Sequence, residues 1–117
     1  MTDQRFLYWA YFFGGDTQRP YRVEFGPGCD GTGFYTRYEG DRVTGLIRYD
    51  LQAGGGPSGA RLDRDGRWYA DERPERNVWR GSDYGDSVPP EQACEIAVAL
   101  GHDPAVMNDF TVHPRKT

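Results

Sequence analysis

The chain has 117 residues, a length that suits one compact domain and excludes an enzyme built of several domains. Its aromatic content of 15% supplies a core, and its 16 glycines and eight prolines favour turns and short strands over a helical bundle. The net charge of −4 arises after Gly81, because the first 80 residues carry twelve arginines and twelve carboxylates. An acidic field of this kind repels nucleic acid and attracts a basic partner.

The first predicted strand covers residues 5–13, is rich in aromatic side chains and is bounded by Gly14 and Gly15. Such a strand is either central in a sheet covered on both sides or offers one face to a partner. The half-exposed strand 21–25 is predicted to pair with it as a hairpin across the turn 14–20. Alternation gives the first strand two apolar faces, one with Phe6, Tyr8, Ala10 and Phe12 and the other with Leu7, Trp9, Tyr11 and Phe13.

Two further hairpins are predicted from turn signals. Gly40-Asp41 suits a two-residue turn, and folding about it places Phe34 opposite Ile47 and Tyr38 opposite Val43 on one apolar face. A second hairpin turns at Asp65-Gly66 and places Leu62 opposite Tyr69. A two-residue loop there would oppose Arg64 to Arg67, which is unfavourable, so the exact register of this hairpin stays open.

The C-terminal part of the chain is predicted to be helical. Residues 71–87 show no periodicity and are predicted to be an irregular acidic and aromatic loop. A helix over 89–101 begins with two prolines and ends at a glycine, a short helix follows over 103–110, and 111–117 form a tail. The chain is therefore predicted to be a single α+β domain, 1–117, in which an antiparallel sheet of about five strands (5–70) is covered by the helix. The apolar stripe of that helix contains Ala93, Ile96, Ala97 and Leu100.

Residues 96–110 resemble the core of the helix-turn-helix motif of DNA-binding proteins, with Ala97, Gly101, Met107 and Phe110 at its small, turn and buried positions. The resemblance implies a regulator whose second helix enters the major groove. That helix has no arginine or lysine to contact phosphate or guanine, so we expect a helical hairpin that packs on the sheet and binds no nucleic acid.

No motif predicts a metal, a cofactor or a catalytic group. Cys29, Cys94, His102 and His113 lack the close spacing of zinc ligands, and no nucleophile stands in an activating pattern. Cys29 and Cys94 could pair, but two cysteines are too few for a disulfide-rich secreted domain, so free thiols in the cytoplasm are expected, with no membrane segment. Thirteen arginines against one lysine are typical of a GC-rich bacterial source.

An acidic and aromatic stretch is the best candidate for function. Tyrosine and tryptophan are typical anchors of protein interfaces, and carboxylates steer a basic partner. We therefore predict a non-enzymatic binding domain, similar in role to a bacterial immunity protein or antitoxin. The alternatives are that Trp68 and Trp79 only roof the core, or that Tyr8, Trp9, Tyr11 and Phe34 line a β-rich cup for a small molecule. The predicted partner-binding residues are Trp68, Tyr69, Asp71, Glu72, Trp79, Asp83, Tyr84 and Asp86.

Overall fold

The computed structural model describes residues 4–24, 29, 34–81 and 84–115. These residues form eight β-strands, two α-helices and one short 3-10 helix, arranged as a six-stranded sheet with a separate two-stranded ribbon. The strands are β1 (Phe6–Phe13), β2 (Asp16–Glu24), β3 (Phe34–Glu39), β4 (Arg42–Asp50), β5 (Gly59–Leu62), β6 (Trp68–Ala70), β7 (Asp86–Val88) and β8 (Val112–His113). The helices are α1 (Arg73–Trp79) and α2 (Pro90–Ala99), and the 3-10 helix is Pro104–Asn108.

The first four strands form one long, bent antiparallel hairpin. β1 pairs with β4, and β2 pairs with β3, so the chain runs outward through β1 and β2 and returns through β3 and β4. The predicted hairpins of β1 with β2 and of β3 with β4 are therefore wrong. The register that placed Phe34 opposite Ile47 is also wrong, because Ile47 lies opposite Trp9 and Phe34 lies opposite Glu24.

The turn signals Gly14-Gly15 and Gly40-Asp41 both lie at a bend in this long hairpin. Neither of them connects two strands that pair with each other. The backbone N–H of Asp41 donates to the Tyr38 carbonyl at 3.0 Å, and Gly40 has the positive φ of 85° that a type II turn requires at its third position. On the other strand Gly15 also has positive φ, and a Cβ there would lie 2.9 Å from Asp41 Cβ. The segments around Gly15 and Asp41 pass so close to each other at the bend that position 15 requires glycine.

The hairpin of β5 with β6 around Asp65-Gly66 is confirmed, with Leu62 opposite Trp68 instead of Tyr69. The loop between these strands is closed by the Asp63 N–H, which donates to the Arg67 carbonyl at 2.9 Å. The longer loop removes the opposition of Arg64 and Arg67 that a two-residue turn would impose.

The large sheet has the order β7-β1-β4-β5-β6-β8, and its neighbours are antiparallel except β6 and β8. The α+β class with a mostly antiparallel sheet is confirmed, while the full sheet is mixed and has six strands. β8, at one edge of this six-stranded sheet, falls within the predicted tail 111–117. A two-residue parallel strand has no signature of its own in the sequence, because it depends on β6 lying beside it.

One face of the sheet packs on α2 and contains the main core. Residues opposite in register share a face, so Phe6, Tyr8 and Ala10 lie with Leu46 and Arg48 on this side. The helix ends as predicted, because the N–H groups of Gly101 and His102 donate to the carbonyls of Val98 and Ala97 in a Schellman motif. From α2 the core receives the predicted stripe of Ala93, Ile96 and Ala97, with Leu100 partly buried.

The opposite face of the sheet is partly covered by α1, an element that the sequence analysis did not predict. Pro74 of α1 is buried against Gly59, and Ile47 and Tyr49 are buried on this side. β1 lies between β4 and β7 and is therefore an internal strand. The segment 71–87, predicted to be irregular, holds α1 and β7, because two helical turns and three strand residues are too short to show a period.

A disulfide joins Cys29, in the connection between β2 and β3, to Cys94 of α2, with their Cα atoms 5.6 Å apart. The expectation of free thiols is therefore wrong, because the bent hairpin brings together two cysteines that are 65 positions apart. No group of three or more His, Cys, Asp or Glu side chains among the described residues is arranged to hold a metal ion. Within the same residues, no helix has the length and apolar character needed to cross a membrane.

Candidate functional site

Trp68 lies inside the core and not on the predicted surface. Its side chain is 0% exposed, and its indole N–H donates to the Val106 carbonyl at 2.9 Å. The guanidinium of Arg48 lies 3.8 Å from the centre of its ring. Trp68 therefore has no surface to offer a partner, in agreement with the alternative that it roofs the core.

Tyr69, the next residue, lies on the opposite face of the sheet and is half-buried. Its hydroxyl donates to Asp65 at 2.5 Å, and its ring lies 5.5 Å from that of His113. The guanidinium of Arg61 lies 5.6 Å from the centre of the Tyr69 ring on the neighbouring strand. Arg61, the neighbour of Tyr69, lines a cleft beside α1.

This cleft, hereafter the arginine cleft, has a volume of about 410 Å³ and brings together Asp71, Glu72 and Tyr84 of the predicted site. Asp71 and Glu72 lie between β6 and α1, and Tyr84 follows α1. Four arginines line the cleft with only two carboxylates. This excess of positive charge was not predicted from the sequence. The lining residues are Arg61, Ala70, Asp71, Glu72, Arg73, Arg76, Tyr84 and Arg115.

Asp71 and Arg73 form a two-pronged ion pair at the start of α1. Arg73 Nη2 lies 2.7 Å from Asp71 Oδ2 and Arg73 Nε lies 3.0 Å from Oδ1, while the Arg73 backbone N–H donates to Oδ1 at 2.8 Å. Burial raises the pKa of Asp71, but these hydrogen bonds outweigh burial and leave its pKa below the ordinary value. The hydrogen bond to Asp71 is in turn the main cause of the raised pKa of Arg73.

Glu72 is shared by two arginines from different parts of the chain. Its Oε1 lies 3.3 Å from Arg76 Nη2 and 3.9 Å from Arg115 Nη1. Arg76 Nη1 also lies 3.5 Å from the hydroxyl oxygen of Tyr84. These contacts are long and exposed, so Glu72 is held much more loosely than Asp71.

Trp79, the last residue of α1, is the most exposed large apolar side chain of the described chain, at 74%. The adjacent Val78 is also exposed. Behind them Asn77 holds the following segment, because its amide nitrogen donates to the Tyr84 carbonyl at 3.1 Å and its amide oxygen accepts from the Tyr84 N–H at 2.7 Å. The Trp79 indole therefore projects from the end of α1, close to the backbone that Asn77 holds at Tyr84.

The two remaining predicted residues are acidic. Asp86 is exposed on β7, an edge strand of the sheet, opposite Ala10 of β1. Asp83 lies outside the described residues. Of the described carboxylates of the predicted site, Asp71 and Glu72 are thus paired with arginine, and Asp86 faces solvent.

No protein-family model, curated protein or solved structure matches this chain.

The fold disperses the residues of the predicted cup. Tyr8 faces α2, Trp9 and Tyr11 lie on the other face of the sheet, and Phe34 is exposed on the ribbon of β2 and β3. These four described side chains do not converge on one cavity.

The resemblance to a helix-turn-helix motif is limited to α2 and the turn that follows it. The predicted second helix is a five-residue 3-10 helix, which Asp103 starts by accepting a hydrogen bond from the Ala105 N–H at 2.8 Å. Val106 and Met107 pack against the core of the sheet. At five residues this element is too short to be a recognition helix.

The cleft-lining arginines were not predicted from the sequence. Arg73 and Arg76 are three positions apart on α1 and share a side of it, a signal that prediction of the helix would have supplied. Arg61 and Arg115 are 54 positions apart, and only the pairing of β5 with β6 and of β6 with β8 places them at one cleft.

Proposed function

We propose that this chain is a non-enzymatic protein-binding domain that docks its partner on Trp79, with the role of an immunity protein or antitoxin that the sequence predicts. The observation that carries the proposal is the exposed indole on a helix end fixed by Asn77. Burying the exposed part of such a side chain would contribute about 3 kcal/mol to binding. Tyr84 and Asp86 follow Trp79 along the same segment and complete the proposed surface.

The charge of this surface differs from that expected for a purely acidic patch. Asp71 and Glu72 are already paired with arginines, and Arg76 and Arg115 lie within reach of a docked partner. We therefore propose that the apolar contact of Trp79 supplies the affinity at this surface. A basic partner, as predicted from the sequence, would find its acidic complement in Asp86.

The test is an alanine scan against a partner captured with the purified protein and identified by mass spectrometry. Trp79→Ala is expected to weaken binding by more than about tenfold, as removal of a central tryptophan does in known interfaces. Phe13→Ala is the matched control, because Phe13 is also an exposed aromatic residue but lies at the far end of β1. Unchanged affinity in Trp79→Ala, Asp83→Ala, Tyr84→Ala and Asp86→Ala would refute the proposal.

The compartment is a separate part of the proposal. The composition predicts the cytoplasm, where reductants keep most thiols reduced. The disulfide of Cys29 with Cys94 favours an oxidising compartment, since disulfides form and persist there. On this ground we propose that the protein resides in an oxidising compartment. Alkylation of protein taken directly from its source cells tests this, because only reduced cysteines react: little modification of Cys29 and Cys94 is expected.

A further inference from the structure

The arginine cleft has the features of an anion site, and its charge is the first of them. Its lining carries four guanidinium groups against the carboxylates of Asp71 and Glu72. Arg61 is paired with Asp63 outside the lining at 2.7 Å, and Glu75 lies in the adjoining hollow, so the surplus belongs to the lining of the cleft itself. A lining with more guanidinium groups than carboxylates is a local exception in a chain whose net charge is −4, and it attracts an anion to this place.

Arg73 and Arg115 have guanidinium nitrogens that their carboxylate pairs do not use. Arg73 gives Nε and Nη2 to Asp71, and its guanidinium also lies 5.1 Å from the centre of the Tyr11 ring. Arg115 is 73% exposed, and its contact to Glu72 is at the limit of an ion pair. Arg73 is also held in place by Asp71, so little conformational entropy is lost when it binds a ligand.

Glu72 marks where the anion would sit. Its carboxylate lies between Arg76 and Arg115, its ion pairs with them are the two longest ion pairs of the cleft arginines, and its side chain is 52% exposed. A side chain that is exposed and loosely held can rotate into solvent and leave both guanidinium groups to an incoming anion. The Glu72 carboxylate thus occupies, with weak contacts, the position between Arg76 and Arg115 that an anion would take.

The arrangement favours phosphate over carboxylate. A single arginine satisfies a planar carboxylate from one side, as Arg73 does for Asp71 in the same cleft. The arginines of this cleft come instead from β5, from α1 and from the segment after β8, and so approach from several directions. A tetrahedral phosphate has oxygens pointing in each of these directions.

We infer that the arginine cleft binds a phosphate group, held by Arg76 and Arg115 in the place of Glu72, with Arg73 beside them. The phosphate belongs either to a phosphorylated side chain or to a small phosphate ester. The volume of about 410 Å³ leaves room for part of the group that carries it. This inference is independent of the docking role of Trp79.

Calorimetric and NMR titration of the purified chain with inorganic phosphate at constant ionic strength tests the inference without any partner. Saturable binding is expected, with the largest amide shifts at residues 71–76 and at Tyr84. Arg76→Gln and Arg115→Gln should each weaken binding by about tenfold, since each removes a charge-assisted hydrogen bond. Glu72→Gln should strengthen binding by about threefold, because it removes the competing carboxylate and its charge.

Arg64→Gln is the matched control, because Arg64 is an exposed arginine in the β5–β6 loop outside the cleft lining. Failure to saturate, or equal weakening in Arg64→Gln and Arg76→Gln, would overturn the inference in favour of unspecific screening. Two further ligand pairs identify the source of the phosphate: a phosphoserine peptide against its serine form, and adenosine monophosphate against adenosine. The phosphorylated member should bind more tightly in at least one pair, and equal binding within both pairs would again overturn the inference.

Discussion

Arg48 is an arginine inside the core, on the face of the sheet that packs on α2. It is 1% exposed, its Nη2 donates to the Asp109 carbonyl at 2.8 Å, and its guanidinium lies 4.3 Å from the centre of the Phe6 ring. Burial lowers the pKa of Arg48 to about 10. Nearby Tyr8 and Asp50 oppose this lowering; Asp50, also buried and paired with Arg5 at 3.0 Å, lies on the same face as Arg48.

Tyr8, on the strand beside Arg48, makes the stability of the protein sensitive to alkali. Burial raises the pKa of Tyr8 to about 12, although the positive charge of Arg48 opposes the rise. In the unfolded chain a tyrosine ionises near pH 10, so the native state holds its proton more tightly between about pH 10 and pH 12. The stability that Tyr8 contributes is full below pH 10 and is lost as the pH rises towards 12.

Arg48 contributes the opposite pH dependence in this range, because its lowered pKa makes the native state release the arginine proton before the unfolded chain does. The Tyr8 contribution is therefore measured as a difference: between pH 10 and pH 12 the free energy of unfolding in urea should fall by about 2 kcal/mol more in the wild type than in Tyr8→Phe, because phenylalanine does not ionise. Tyr38→Phe, at an exposed position on the ribbon, serves as the control and should keep the wild-type slope. An unchanged slope in Tyr8→Phe would contradict the assignment.

Among the elements, the bent hairpin shows where local signals mislead. Gly40-Asp41 has the residue types of a hairpin turn, and its local geometry is indeed a turn closed by Asp41 and Tyr38. The strands on either side of it pair with β2 and β1 instead of with each other. A turn signal determines the backbone at four residues, whereas pairing depends on which distant strand offers a longer ladder and a better-buried face.

Gly15→Ala is expected to lower the free energy of unfolding by about 2–3 kcal/mol, because it adds a steric overlap with Asp41 to an unfavourable positive φ. Gly54→Ala is the matched control, since Gly54 also has positive φ but no atom within 4 Å of the added Cβ. We expect a cost of about 1 kcal/mol there. Equal costs in urea unfolding would show that the close crossing contributes nothing.

For the molecule as a whole, charge is divided between the two sides of the sheet. The carboxylates that follow Gly81 include Glu91 and Glu95 on α2 and Asp103 and Asp109 beside the 3-10 helix, all on the α2 side. The arginine cleft lies on the α1 side. Net charge along the sequence did not reveal this cleft, because Arg61 and Arg115 enter it from outside the segment 68–86.

The disulfide ties the connection between β2 and β3 to α2, and so closes the bent hairpin onto the rest of the molecule. A bridge between residues 65 positions apart should contribute about 4 kcal/mol through the entropy of the unfolded chain. Reduction of the wild type and the double variant Cys29→Ala/Cys94→Ala should lower the unfolding free energy by a similar amount. The double variant should be unaffected by reductant, and a wild type equally unaffected would contradict the bridge.

The sequence by itself determined the features that depend on neighbouring residues: α2 with its stripe and its glycine end, the turn at Asp65-Gly66, and the two apolar faces of β1. Periodicity and capping act over a few residues, so they are legible without the fold. Only the tertiary structure decided the partner of β1, the existence of α1, the burial of Trp68 and the meeting of Arg61 with Arg115. Each of these depends on contacts between residues far apart in the chain, whose free energy is set by the burial and pairing of the folded molecule as a whole.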